Sequence, residues 1–200
     1  MEPESIDKNG RFSNLPTLSE NAKVFMFVGR MVEEKGLPIL IDLIKEDTSD
    51  SLFVIASKGN ESNPYHQQIS QLVNDGRKAV FLDNDEKQNE MRLFFMGMSD
   101  FALIPSTAET FGLTAAEASL MGMYVLYSNV GGLPDSVTKF SLPVVSNDFK
   151  SWQSAVNKAM SDSFEVDNIV QFAKERFPEN ILAISTNKAL DEAVLEMKER

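Results

Sequence analysis

Cysteine is absent from this 200-residue chain, and histidine occurs once, at position 66. No disulfide can hold the fold and no thiolate can bind a metal. With a single imidazole, at the start of a polar helix where it reads as a surface residue, a transition-metal centre is not expected either. Lack of cysteine fits a reducing setting, so the expected location is cytoplasmic. Long apolar runs are also missing: none nears the ~20 residues of a membrane-spanning helix. The first ten residues, Met1 to Gly10, are polar and acidic, without the apolar centre of a secretory signal. Basic residues are scarce, 19 Lys and Arg against 30 Asp and Glu, for a net charge of −11. Nucleic-acid backbones and anionic membranes select for lysine and arginine surfaces, so neither is the expected partner. A small polyanion could still bind locally, and Arg30 and Lys35 stand out against the acidic background.

What is present is an ordinary globular composition, 42% hydrophobic and 24% charged, enough for one domain with a single core but cramped for two. Short apolar runs predict strands at Val24–Val28, Leu52–Ala56, Ala79–Leu82, Phe101–Ile104, Tyr124–Tyr127 and Leu142–Val145. Between them, apolar residues recurring at three or four positions predict helices over Leu37–Lys45, Tyr65–Asn74, Glu86–Met98 and Leu113–Met121. Further helices are expected at Phe149–Met160, anchored by Trp152, then at Val166–Glu175 and Glu179–Lys198. Residues 1–20 read as a linker or lead-in; residues 21–200 form the domain. Alternation of near-continuous apolar strands with helices implies a parallel sheet covered on both faces, a doubly wound Rossmann-like α/β fold. With the common strand order 3-2-1-4-5-6, the first and fourth strands are neighbours and a crevice opens at their carboxyl ends.

That order brings the turn holding Arg30 and Lys35 beside the segment Pro105-Ser-Thr-Ala-Glu-Thr-Phe-Gly-Leu-Thr-Ala-Ala-Glu117. Here a strand runs through a turn into a helix whose first amides and dipole favour an anion. Glu117, about two turns deeper by helix pitch, could accept hydrogen bonds from ribose hydroxyls. A guanidinium, an ammonium and a helix start converging on one point would suit a diphosphate leaving group. Each feature also has a plainer reading. Arg30, Lys35, Glu109 and Glu117 are singly typical of solvated surface charge, while Gly112 can relax a helix start and Gly131-Gly132 can make a turn. Glu109 and Glu117 could also be the paired carboxylates of a glycosidase, although one is in a loop and the other in a helix behind a phosphate-type turn.

Several motifs in order carry a resemblance. Val28-Gly-Arg30 with Glu33-Glu-Lys35-Gly36, then Ile104-Pro-Ser106, Glu109-Thr-Phe-Gly-Leu-Thr-Ala-Ala-Glu117-Ala118 and Gly131-Gly-Leu-Pro-Asp-Ser-Val137 resemble the donor-binding half of retaining GT-B glycosyltransferases. The form Gly-Leu-Thr with Gly-Gly-Leu-x-Asp-Ser-Val resembles glycogen and starch synthases in particular. The resemblance implies that Arg30 and Lys35 hold the donor diphosphate, and that Phe111, Gly112, Leu113 and Thr114 sit beside the distal phosphate and sugar. It implies further that Glu117 binds the ribose, that Glu109 lies near the transferred sugar as the catalytic residue, and that the base rests on the turn at Leu82-Asp83, mainly through backbone groups. The implied substrate is a nucleotide sugar, ADP-glucose or UDP-glucose, with no cofactor and no metal. A glycan acceptor such as an α-glucan would meet it through an amino-terminal domain not among these residues. The chain departs from the family at Ser57-Lys58-Gly59, where Gly-x-Gly is usual, and at Thr110-Phe111, where glycogen synthases often have Pro-Cys. A non-catalytic nucleotide-sugar-binding module is the alternative function, and an α/β domain with no ligand is a third reading.

Overall fold

The structure, a computed structural model, describes residues 16–19, 22–58, 61–83 and 89–177. Among these residues six parallel strands form one sheet: β1 (Val24–Val28), β2 (Leu52–Ser57), β3 (Ala79–Asp83), β4 (Phe101–Ile104), β5 (Tyr124–Ser128) and β6 (Leu142–Val144). Their spatial order is β3-β2-β1-β4-β5-β6, the doubly wound arrangement expected from the sequence. Strands β1 and β4 are direct neighbours, with Phe25 opposite Phe101 and Met26 opposite Ala102. Among the described residues six α-helices cover the sheet: α1 (Leu37–Glu46), α2 (Pro64–Asn74), α3 (Asn89–Met98), α4 (Leu113–Leu120), α5 (Phe149–Ser161) and α6 (Val166–Arg176). The helix expected over Glu179–Lys198, and the first residues of the one expected from Glu86, lie outside the described residues.

Side chains alternate across each strand, so every central strand feeds two cores. On one face Met26, Val54, Val80, Ala102 and Val125 meet Leu93, Phe95 and Met96 of α3 and Ala115 and Ala118 of α4. On the other, Phe25 stacks between Phe53 and Phe101, with ring centroids 5.2 and 4.9 Å away. These rings share a core with Leu40 and Ile44 of α1, Ile69 of α2 and Trp152 of α5. Trp152 is fully buried, and its indole N–H donates to Asn147 at 3.0 Å, so the ring anchors α5 without stranding a polar group. His66 is not a bare surface residue: its ring stacks on Phe81 at 4.0 Å. Strand β2 runs one residue beyond expectation because Ser57 pairs with Asp83; β6 stops one residue short, leaving Val145 exposed.

The two loops at the centre of the sheet are joined through their backbones. A short 3-10 turn, Glu33–Lys35, ends at Gly36 with φ +77°, and α1 starts there with Pro38 in its first turn. The Thr107 amide, in the loop after β4, donates to the Glu34 carbonyl at 2.8 Å. A Cβ on Gly36 would stand 2.1 Å from the Pro105 carbonyl oxygen. Glycine is required there twice over, by backbone angle and by the approach of the neighbouring loop. Gly36→Ala is therefore expected to lower unfolding free energy by more than about 1 kcal/mol, measured by urea denaturation. A variant as stable as the parent would show that the two loops are not locked at this point.

Candidate functional site

A crevice of about 430 Å³ opens at the carboxyl ends of β1 and β4. This is the point where the strand order reverses and where open α/β sheets bind ligands. From the β1 side come Gly29, Arg30 and Lys35; from the β4 side come Ser106, Glu109, Thr110, Phe111, Gly112, Leu113 and Thr114. Seven of the expected residues are thus brought together: Arg30, Lys35, Glu109, Phe111, Gly112, Leu113 and Thr114. Lys58, at the end of β2, and Ser106 also line the crevice. Sequence reasoning gives neither a role in binding, although Lys58 is the middle residue of the Ser57-Lys58-Gly59 turn, in which Ser57 replaces the first glycine of Gly-x-Gly.

The charges are unevenly held. Lys35 forms an ion pair with Glu109, and both side chains are less than one-fifth exposed. The Ser106 hydroxyl donates to the same Glu109 Oε1 at 3.1 Å. Arg30 is much freer, 68% exposed and only 3.9 Å from Glu34. Helix α4 begins at Gly112, whose φ of +87° turns the chain into the helix and whose missing side chain offers no cap. Ala115 and Ala116 donate back to the Gly112 carbonyl, but among the described residues no group accepts from the amides of Leu113 and Thr114. Those two N–H groups, at the positive end of the helix, are suited to an anion in the crevice.

Glu117 is placed differently from the expectation of two turns. Because α4 starts at Leu113, Glu117 lies four residues in, little more than one turn, and does not line the crevice itself. It does share a helix face with Leu113 and Thr114, four and three residues earlier. Its Oε2 accepts from Nη1 of Arg92 at 3.0 Å, across the seam between α3 and α4. Leu82 and Asp83 end β3, two strands from β1, and Leu82 does not line the crevice. The Leu82 side chain is buried in the core that α3 shares.

Under the Glu109–Gly112 loop lies a platform made by the Gly131-Gly-Leu-Pro-Asp-Ser-Val137 motif. The Gly132 amide donates to the Glu109 carbonyl at 3.0 Å. The buried Ser136 hydroxyl donates to the Phe111 carbonyl and to the Gly132 carbonyl, the latter at 3.2 Å. A Cβ on Gly132 would stand 2.1 Å from the Thr110 carbonyl oxygen, and one on Gly131 would stand 1.9 Å from that of Glu109. The glycine pair therefore does more than turn the chain. It lets one backbone lie directly against another.

A Rossmann-like domain with a basic, amide-lined crevice at its switch point belongs to the class of open α/β sheets suited to phosphate-bearing ligands. The family model described as "Glycosyl transferases group 1" matches residues 11–176, and the chain belongs to that family. The D-inositol 3-phosphate glycosyltransferase of Corynebacterium aurimucosum is 30% identical over 152 residues, covering 71% of this chain and 36% of that protein. The glycogen synthase of Francisella philomiragia is 35% identical over 124 residues, covering 62% of this chain and 25% of that protein. The chain thus spans between a quarter and about a third of these two relatives. Among solved structures, Anabaena HepE in complex with UDP and glucose superposes with a TM-score of 0.65 at 20% identity, covering 90% of this chain and 49% of that one. The catalytic domain of Arabidopsis thaliana starch synthase IV, bound to ADP and acarbose, gives 0.63 at 17% identity, covering 92% and 39%.

The platform yields a test of the local architecture. Ser136→Ala leaves the Phe111 carbonyl without its buried hydroxyl donor, at a cost of about 1–3 kcal/mol. Urea denaturation of the variant should show that loss. Parent-like stability would mean that the loop is held without this bond.

Proposed function

We propose that the crevice binds the diphosphate of a nucleotide sugar and that the domain serves retaining transfer of the sugar to a glycan acceptor. The observation that carries this reading is the convergence of Arg30, Lys35 and the free Leu113 and Thr114 amides on one crevice. Charge that builds on a departing diphosphate would meet an ammonium, a guanidinium and a helix dipole already in place. In this proposal those groups carry the role a divalent cation plays elsewhere, so the reaction needs no metal. Glu109, held by Lys35 and Ser106 at the floor of the site, is the proposed catalytic residue beside the transferred sugar. Phe111, Gly112, Leu113 and Thr114 would border the sugar and distal phosphate. Glu117 would reach the ribose from one turn behind them, and the backbone at Leu82-Asp83 would meet the base.

ADP-glucose is the proposed donor, with UDP-glucose close behind, and an α-glucan the proposed acceptor. Support comes from relatives named glycogen synthase and from the Gly-Leu-Thr and Gly-Gly-Leu-x-Asp-Ser-Val motifs, against relatives that act on inositol phosphate. The acceptor site is proposed to belong to a second Rossmann domain outside residues 1–200. Near-attack geometry needs both walls of the site, and losing one is worth several kcal/mol of barrier. Residues 1–200 with donor and a maltooligosaccharide should therefore give negligible elongation.

Calorimetry with ADP, UDP and their glucose conjugates tests the binding step. Lys35→Ala should weaken nucleoside diphosphate binding by about 1.5–3 kcal/mol, the range for hydrogen bonds to charged groups. Arg30→Ala should cost less, since an exposed guanidinium is screened by water and salt. Binding that is untouched by Lys35→Ala would overturn the diphosphate assignment, and failure to bind any nucleoside diphosphate would overturn the reading itself.

A further inference from the structure

Arg92 is a charged residue set into an apolar seam, and nothing in the crevice chemistry requires it. It is only 6% exposed, on the same helix as the buried Leu93, Phe95 and Met96. Its Nη1 lies 3.0 Å from Glu117 Oε2 and 3.3 Å from the sulfur of Met96. Burying a guanidinium and a carboxylate costs several kcal/mol per ion before their attraction returns any of it, and well-packed apolar residues often serve a fold equally well. Packing α3 on α4 is thus a weak reason for the pair. Geometry supplies a stronger one: Glu117 spends Oε2 on Arg92, while Oε1 accepts no hydrogen bond from a described residue. The side chain remains 17% exposed. A carboxylate pinned by one oxygen presents the other in a fixed direction, suited to the vicinal hydroxyls of a ribose. Without the guanidinium, Glu117 would be free to rotate about a long side chain one turn behind Thr114.

We infer that Arg92 is a positioning residue, which orients the Glu117 carboxylate for recognition of the ribose hydroxyls of a nucleoside diphosphate. This rests on the proposed role of Glu117. Lysine at position 92 would keep the charge but lose the planar, directional donor set of arginine, so orientation and charge can be separated.

The experiment compares dissociation constants of the 200-residue chain for UDP and ADP with those for their 2′,3′-dideoxy forms, and for pyrophosphate. The parent should prefer the ribonucleotides by about tenfold or more, the factor that a hydrogen bond to a charged group is worth. Arg92→Lys and Arg92→Gln should bring that preference close to one while leaving pyrophosphate affinity unchanged. Glu117→Gln should do the same. A folded Arg92 variant that keeps the full preference, where Glu117→Gln loses it, overturns the inference and leaves the ribose reading standing. A preference that survives Glu117→Gln, or none in the parent, defeats the ribose reading instead. Should both Arg92 variants lose the parent far-UV spectrum, the pair serves the fold and the inference falls.

Discussion

The close approach of two backbones at the centre of the sheet sets everything else in this domain. Strands β1 and β4 lie side by side, and the loops that leave them touch through Thr107 and Glu34 and through Gly36 and Pro105. Contact at that distance fixes the relative positions of Lys35 and Glu109, 74 residues apart in the chain. It also fixes the start of α4 against the turn that carries Arg30. A rigid seam between two loops bounds the crevice. The strands beneath are buried on both faces, so the seam has little freedom to shift.

Charge is distributed to match. The chain carries 30 acidic residues and 19 basic ones, yet Arg30, Lys35 and Lys58 all face one crevice. Lys35 is already neutralised by Glu109. A diphosphate arriving there would exchange one anionic partner for another rather than meet a bare ammonium. Binding strength would then follow the difference between the two pairings, and a small monovalent anion would gain little by the exchange.

Much of this was legible in the sequence because the central strands are short, apolar and bounded by glycine or proline turns. Strand order followed from the doubly wound pattern, and the crevice from strand order. Phe111, Gly112 and Leu113 could be placed at a helix start from the motif alone. Other features were hidden because they depend on contacts between distant segments. Arg92 looks like one more polar residue until α3 is laid beside α4 and its guanidinium meets Glu117, 25 positions later. Glu117 was set about two turns deep, yet with α4 starting at Leu113, as expected, it lies little more than one turn into the helix. The glycine pair at 131 and 132 reads as a turn until the Glu109 and Thr110 carbonyls are seen against it.

The platform beneath the Glu109–Gly112 loop has a directional consequence. Hydrogen bonds from Gly132 and Ser136 draw the carbonyls of Glu109 and Phe111 toward the protein interior. A peptide unit is rigid and planar, so fixing its oxygen on one side obliges its N–H to point the opposite way. The loop is thereby polarised, with the Glu109 and Phe111 oxygens turned onto the motif and the amides of Thr110 and Gly112 turned away from it. A flexible loop would average those dipoles toward zero, whereas this one holds them in a single sense before any ligand arrives.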